Sequence, residues 1–218
     1  MKEKYTSFFQ ICGFPLDTDQ EKRFEIYLSE LKRWGQRINL TAIDKDEEII
    51  KKLFLGSLSF SVVLNLQSLG EVMDYGSGAG FPGLPLKIRY PHLKMTLLEA
   101  NTKKWAFLKY LCRELGLVDC LCLKQRGEEL IKQENFRARY SAVLSRAVGH
   151  HDRLLDQATF LLAQGGICVF TQGLHWQAGR KKGLEGERKS MIFKTALDWH
   201  CPALEISHRL LVYERCST

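Results

Sequence analysis

Ten consecutive residues, Asp74-Tyr75-Gly76-Ser77-Gly78-Ala79-Gly80-Phe81-Pro82-Gly83, set an acid, four glycines and a proline between an apolar run and an amphipathic one. The preceding Val72-Met73 reads as the end of a strand, and Leu84-Pro85-Leu86-Lys87-Ile88 as the start of a helix. Strand, glycine turn and helix in that order form the cradle by which an open α/β sheet holds a nucleotide-like cofactor at its carboxyl edge. Glycine is required where the turn adopts positive φ and where a ligand must touch bare backbone. In one register, Gly76-x-Gly78-x-x-Phe81 fails the dinucleotide fingerprint at its third glycine; in the other, Gly78-Ala79-Gly80-Phe81-Pro82-Gly83 satisfies it. The flanking residues separate the candidates. A carboxylate at the strand tip, Asp74, repels a pyrophosphate but attracts a ligand carrying a sulfonium and an ammonium. Pro82, placed in the first helical turn, removes an N–H that a phosphate would use. These flanks favour S-adenosylmethionine; NAD and a purely structural turn are the alternatives.

A second acid follows at the expected distance. Lys94-Met95-Thr96-Leu97-Leu98 reads as the next strand and ends in Glu99, 23 residues beyond Gly76. An acid about 20 residues after the glycine turn reaches a cofactor ribose, whose two hydroxyls both donate to one carboxylate.

Elements at regular spacing are needed to position these groups. Upstream, Phe24, Tyr27, Leu28, Leu31, Trp34 and Ile38 recur at helical spacing behind the capping candidates Asp17-Thr18-Asp19, and a further helix is expected over residues 46–64. Gln67-Ser68-Leu69-Gly70 reads as a linker. Downstream, helices over 102–115 and 152–162 alternate with strands over 120–124, 140–144 and 166–170, and Trp105, Leu108, Leu111 and Cys112 are expected to face inward. Such alternation predicts an α/β fold with a mostly parallel sheet covered on both faces. Residues 196–199 and 209–213 are expected to pair as a hairpin that adds an antiparallel edge. The chain thus divides into a helical amino-terminal extension, residues 1–68, and a cofactor-binding unit, residues 69–218.

The 218 residues suffice for one full core, and 45% hydrophobic with 26% charged residues is ordinary for a soluble protein. A net charge of +7 suits an anionic macromolecular partner. Seven scattered cysteines without a CxxC pair read as reduced thiols of a cytoplasmic chain rather than as a metal or disulfide framework, with Cys120 and Cys122 on one strand face. No apolar run approaches membrane-span length, and no cleavable leader is expected.

Several blocks occurring in one order identify a resemblance. Trp34 with Ile38-Asn39-Leu40-Thr41-Ala42-Ile43, residues 74–85, Thr96-Leu97-Leu98-Glu99 with Lys103-Lys104 and Phe107-Leu108, Arg126-Gly127-Glu128-Glu129, and Ser145-Arg146-Ala147 together resemble the RsmG (GidB) family of bacterial 16S rRNA guanine-N7 methyltransferases along nearly the whole chain. The resemblance implies a class I, Rossmann-like methyltransferase fold using S-adenosyl-L-methionine, with 16S rRNA or the small ribosomal subunit as partner. It implies that Gly76, Gly78 and Phe81 line the donor, that Gly127 and Glu128 meet its adenine, and that Arg146 faces both donor and RNA. In that position Arg146 pairs with the methionine carboxylate or with a phosphate. The chain departs from the family pattern at Leu53, Gly56 and Gln172, where His, Asp and Lys are usual; Ser57 is retained.

Guanine N7 carries a lone pair and no proton, so the implied reaction needs orientation rather than a general base, and no catalytic acid or base is assigned. The absence of an Asn-Pro-Pro-Tyr type motif points away from amine methylation. RNA is expected to be gripped through phosphates by Lys22-Arg23, Lys32-Arg33 and Arg37, and by Arg180, Lys181 and Lys182 in a glycine-rich basic loop. No obligatory protein partner is inferred, and a monomer is expected. The rival readings are a small-molecule methyltransferase and a donor- or ribosome-binding homologue with weakened activity.

Overall fold

The structure, a computed structural model, describes residues 3–66, 68–146, 151–172 and 190–216. The amino-terminal stretch is helical. It comprises α1 (Glu3–Ile11), α2 (Thr18–Gly35), α3 (Asp46–Glu48), a π-helical segment Ile49–Leu55, α4 (Gly56–Leu58) and a 3-10 turn Ser59–Val62. Helix α2 starts as its sequence predicts. Asp17 is the N-cap, its carboxylate accepts from the Gln20 amide, and Gln20 answers with its own side chain on the Asp17 amide. Residues 46–62 form the expected helical run, but its middle is wound as a π-helix that turns Ile49, Ile50, Phe54 and Leu55 into the core.

The strands β1 (Glu71–Tyr75), β2 (Lys94–Leu98), β3 (Cys120–Leu123), β4 (Tyr140–Ser145), β5 (Leu162–Gln172), β6 (Met191–Cys201) and β7 (Ile206–Arg215) form one sheet in the order β3-β2-β1-β4-β5-β7-β6. The first five pair in parallel. The tail forms the expected hairpin, and β7 inserts antiparallel between β5 and β6. Helices α5 (Gly83–Arg89), α6 (Thr102–Glu114), α7 (Gly127–Leu130) and α8 (His151–Leu161) connect or flank the strands. Central strands β1 and β4 are buried on both faces, as a parallel sheet between helical layers requires.

One layer and the sheet share a continuous cluster of buried side chains that runs from Phe8 and Phe24 through Phe54, Leu84 and Phe107 to Val212. The amino-terminal helices therefore bury their apolar stripe against the sheet rather than standing apart. A second cluster lies on the opposite face, built from Leu154, Leu155 and Leu161 of α8 against Met73, Val143 and Phe170. Trp105 corrects an expectation: it is only half-buried, its indole donating to the Cys122 carbonyl at 3.2 Å. The thiols of Cys112, Cys120 and Cys122 gather under α6, with Cys112 Sγ 3.5 and 3.7 Å from the other two, and every cysteine is reduced. Among the described residues no helix is long and apolar enough to cross a membrane.

Candidate functional site

The parallel topology reverses direction between β1 and β4, so their carboxyl ends open the crevice in which such sheets hold ligands. The glycine turn fills one side of that crevice. Gly76, Gly78 and Gly80 all have positive φ, at 73°, 58° and 103°. Nothing lies within 4 Å of where a Gly76 Cβ would stand, and at Gly78 the nearest atom is a backbone oxygen at 3.9 Å. The backbone is thus bare toward the crevice. Helix α5 begins at Gly83, so Pro82 is its N-cap and not a residue of its first turn.

Asp74 closes the floor of the turn. It is fully buried, and its Oδ2 accepts from the Gly83 amide at 2.9 Å. Its Oδ1 is buried without a hydrogen-bond partner among the described residues. Burial is the main force holding its pKa up, to about 7; the Gly83 amide and the Ser77 side chain oppose it, and nearby Glu99 adds to it. A buried acceptor left without a donor is costly, and a cationic ligand would remove that cost. The sequence placed Asp74 at the strand tip as an electrostatic partner for a cationic ligand; the structure adds a second role, one oxygen anchoring the start of α5 while the other stays without a described donor.

Glu99 follows β2 as expected and braces the turn, accepting from the Gly78 amide at 2.9 Å and the Asn101 amide at 2.7 Å. Each of its oxygens retains a second lone pair for a ribose hydroxyl. Asn101 caps α6, accepting from the Lys103 and Lys104 amides. Phe81 is buried, stacked on Tyr27 at 5.4 Å, which leaves its backbone rather than its ring for the crevice. Gly127 lies under Tyr75, whose hydroxyl would overlap any Cβ there and which hydrogen-bonds Gln157. The Glu128 carboxylate is ion-paired with Arg153 of α8.

Arg146, directly after β4, reaches across to the π-helical segment. Its guanidinium donates to the Leu53 carbonyl at 3.1 Å and to the Lys52 carbonyl, and it forms no ion pair with a described carboxylate. Burial lowers its pKa to about 10, opposed by Tyr27, so it stays cationic at neutral pH. A half-buried cation faced by carbonyl dipoles, with no described carboxylate beside it, retains charge with which to meet an anion.

Two contacts escaped the sequence reading. Tyr27, read there as part of an apolar stripe, donates to the Ala79 carbonyl at 2.6 Å and so ties α2 to the glycine turn. His208 of β7 occupies the space that a side chain at Gly56 would fill, its Nε2 lying 2.5 Å from the ideal Cβ position. Its Nε2 is buried without a partner among the described residues. Burial, then Arg146, lowers its pKa to about 4. The glycine is thereby explained as a volume exchange between two elements far apart in sequence. Leu53 is buried, and Gln172 ends β5 opposite Arg209.

The basic residues on α2 and just beyond its end divide. Arg23 pairs with Asp19, Lys32 with Asp46 and Arg33 with Glu30, whereas Arg37 pairs with no described carboxylate. Arg180, Lys181 and Lys182 lie outside the described residues.

A model of the family described as rRNA small subunit methyltransferase G matches residues 20–212. A ribosomal RNA small subunit methyltransferase G of Macrococcus caseolyticus is 34% identical over 181 residues, which cover 83% of this chain and 76% of the relative. Among solved structures, StiE O-MT aligns with a TM-score of 0.59 at 17% identity over 87% of this chain and 81% of its own. The cyclase SpnF aligns with a TM-score of 0.57 at 14% identity over 92% and 97%. A fold shared by these two leaves the chemistry to the site.

Proposed function

The chain belongs to the rRNA small subunit methyltransferase G family, and from that membership we propose that it transfers a methyl group from S-adenosyl-L-methionine to N7 of a guanine in 16S rRNA. The observation that carries the donor assignment is the buried, unpartnered Asp74 Oδ1 beneath a glycine turn whose backbone is bare. The residues fit the donor: Asp74 for its positive charge, Glu99 for its ribose, the 76–78 backbone for its body, Gly127 and Glu128 for its adenine, and Arg146 for a carboxylate or an RNA phosphate. Bound there, the donor supplies a methyl group on a positively charged sulfur. The residues of this chain do the rest by holding. Asp74 and Arg146 fix opposite charges on the two sides of the crevice, and Tyr27 and Glu99 lock the turn between them.

N7 attacks through a lone pair that bears no proton, so no side chain must remove one. Orientation alone can supply about 7–11 kcal/mol of barrier reduction. Leu53 and Gly56, standing where the family usually has His and Asp, are compatible with a reaction that asks no proton transfer of them. The proposed enzyme is monomeric and cytoplasmic, with residues 1–68 as an RNA-facing wall over a donor-binding unit of residues 69–218.

Incubation of purified protein with methyl-labelled donor and small-subunit RNA, followed by digestion to nucleosides and mass spectrometry, tests it. Labelled 7-methylguanosine is the expected product; label confined to methylated amino groups or ribose hydroxyls would overturn the N7 assignment.

A further inference from the structure

Beside the donor crevice, between the carboxyl end of α2 and the first turns of α6, lies a cleft of about 480 Å³ lined by Arg33, Trp34, Arg37, Ile38, Lys103 and Ala106. Its lining carries three cations and no anion. Arg33 is already engaged, donating to Glu30 and to the Tyr110 hydroxyl at 2.7 Å. Arg37 and Lys103 are both exposed and pair with no described carboxylate. Lys103 is placed at a cost: it sits in the first turn of α6, which holds no acid, at the end where the helix dipole disfavours a positive charge. An anionic ligand removes that conflict. Trp34 supplies an aromatic wall, its ring braced by Phe107 at 5.6 Å and Tyr110 at 5.3 Å.

Position links the cleft to the chemistry. Tyr27 of α2 holds Ala79 of the glycine turn, and Trp34 is seven residues, about 10 Å, farther along the same helix. On the other wall, Glu99 binds the amide of Asn101, the N-cap from which Lys103 follows two residues later. The cleft volume lies in the range of single-ligand sites. Two cations without a described carboxylate partner, flanking a braced aromatic ring, match a phosphate–base unit of a single strand.

We propose that this cleft is a subsite for a nucleotide of single-stranded RNA next to the target guanine, with Arg37 and Lys103 holding its phosphates and Trp34 stacking its base. The proposal rests on the RNA-methyltransferase reading and names where the strand is gripped. It assigns the α2–α6 cleft to the RNA and leaves the donor to the glycine turn.

Two variants, Arg37→Ala/Lys103→Ala and Trp34→Leu, are compared with wild type for binding of a short single-stranded RNA across a salt series, with S-adenosylhomocysteine affinity and melting temperature measured on the same samples. The double variant is expected to bind RNA at least tenfold more weakly, with its salt slope reduced by about 1.4, the contribution of two phosphates at 0.7 each. Trp34→Leu is expected to lose about tenfold with an unchanged slope. S-adenosylhomocysteine affinity stays at the wild-type value in the double variant. If wild type binds and methylates the RNA while the double variant keeps both affinity and slope, the subsite is rejected and the enzyme assignment stands. A wild type that binds an acidic peptide at this cleft, but not RNA, overturns the proposal. Donor binding without any methylation of small-subunit RNA would sink the broader reading instead.

Discussion

Asp74 and His208 are buried titrating groups whose effects on stability run in opposite directions over one pH range. Above its unfolded pKa of about 3.9, Asp74 is ionised in the unfolded chain but stays protonated in the fold until about pH 7. The folded state therefore binds the extra proton, and stability falls as pH rises through that window. His208 does the reverse. Below about pH 6.5 the unfolded imidazole is charged while the folded one resists protonation down to about 4, so stability rises with pH. Between about pH 4.5 and 6.5 the two slopes oppose each other, each at most about 1.4 kcal/mol per pH unit. Chemical denaturation of the donor-free protein is expected to show little contribution from this pair in that window. Asp74→Asn should tilt the curve upward with pH and His208→Asn downward, and identical curves for all three would refute the pairing. Gly56 belongs to the same corner. Gly56→Asp alone should destabilise by about 1–3 kcal/mol because the His208 ring stands in its place. Adding His208→Ala should recover much of that loss in a double-mutant cycle.

The π-helical segment at Ile49–Leu55 and helix α2 determine how the site is held. The first offers the carbonyls of Lys52 and Leu53 to Arg146, and the second offers Tyr27 to the turn. Tyr27→Phe keeps the ring stacked on Phe81 but strands a buried carbonyl. It is expected to cost about 1–3 kcal/mol in unfolding free energy. Donor affinity should weaken too, although Tyr27 touches only the turn; calorimetry with S-adenosylhomocysteine reads that effect. These same elements mark what the sequence could reveal. The parallel strands, the glycine turn with its positive-φ positions, Glu99 after β2, the Asp17 cap and the tail hairpin were all legible, because each rests on local periodicity or on a residue type that only one backbone geometry tolerates. The second role of Asp74 as anchor of α5, the carbonyl partners of Arg146, the tie from Tyr27 and the exchange of volume between Gly56 and His208 were not. Each joins segments separated by 9 to 152 residues in sequence, and no periodicity records such a contact. Trp105 was misjudged because its indole N–H needed a carbonyl partner near the surface.

Across the whole molecule, the net charge of +7 is less telling than its distribution. Three of the basic side chains on α2 are spent on neighbouring carboxylates, and Arg37, which pairs with no described carboxylate, lines one cleft with Lys103. The amino-terminal helices thus serve the molecule twice, burying their apolar stripe in the sheet's own core and presenting cations beside the carboxyl edge of its strands. The proposed donor site depends most on Asp74 supplying negative charge to a cationic donor. Isothermal titration of S-adenosylmethionine into wild type and Asp74→Asn tests this directly, because asparagine can still accept from the Gly83 amide while carrying no charge. The expected result is loss of donor affinity by tenfold or more with the melting temperature kept or raised, and wild-type affinity that falls as pH drops below about 7. Equal affinity in the two proteins, or a folded wild type that takes up no donor, would contradict the account.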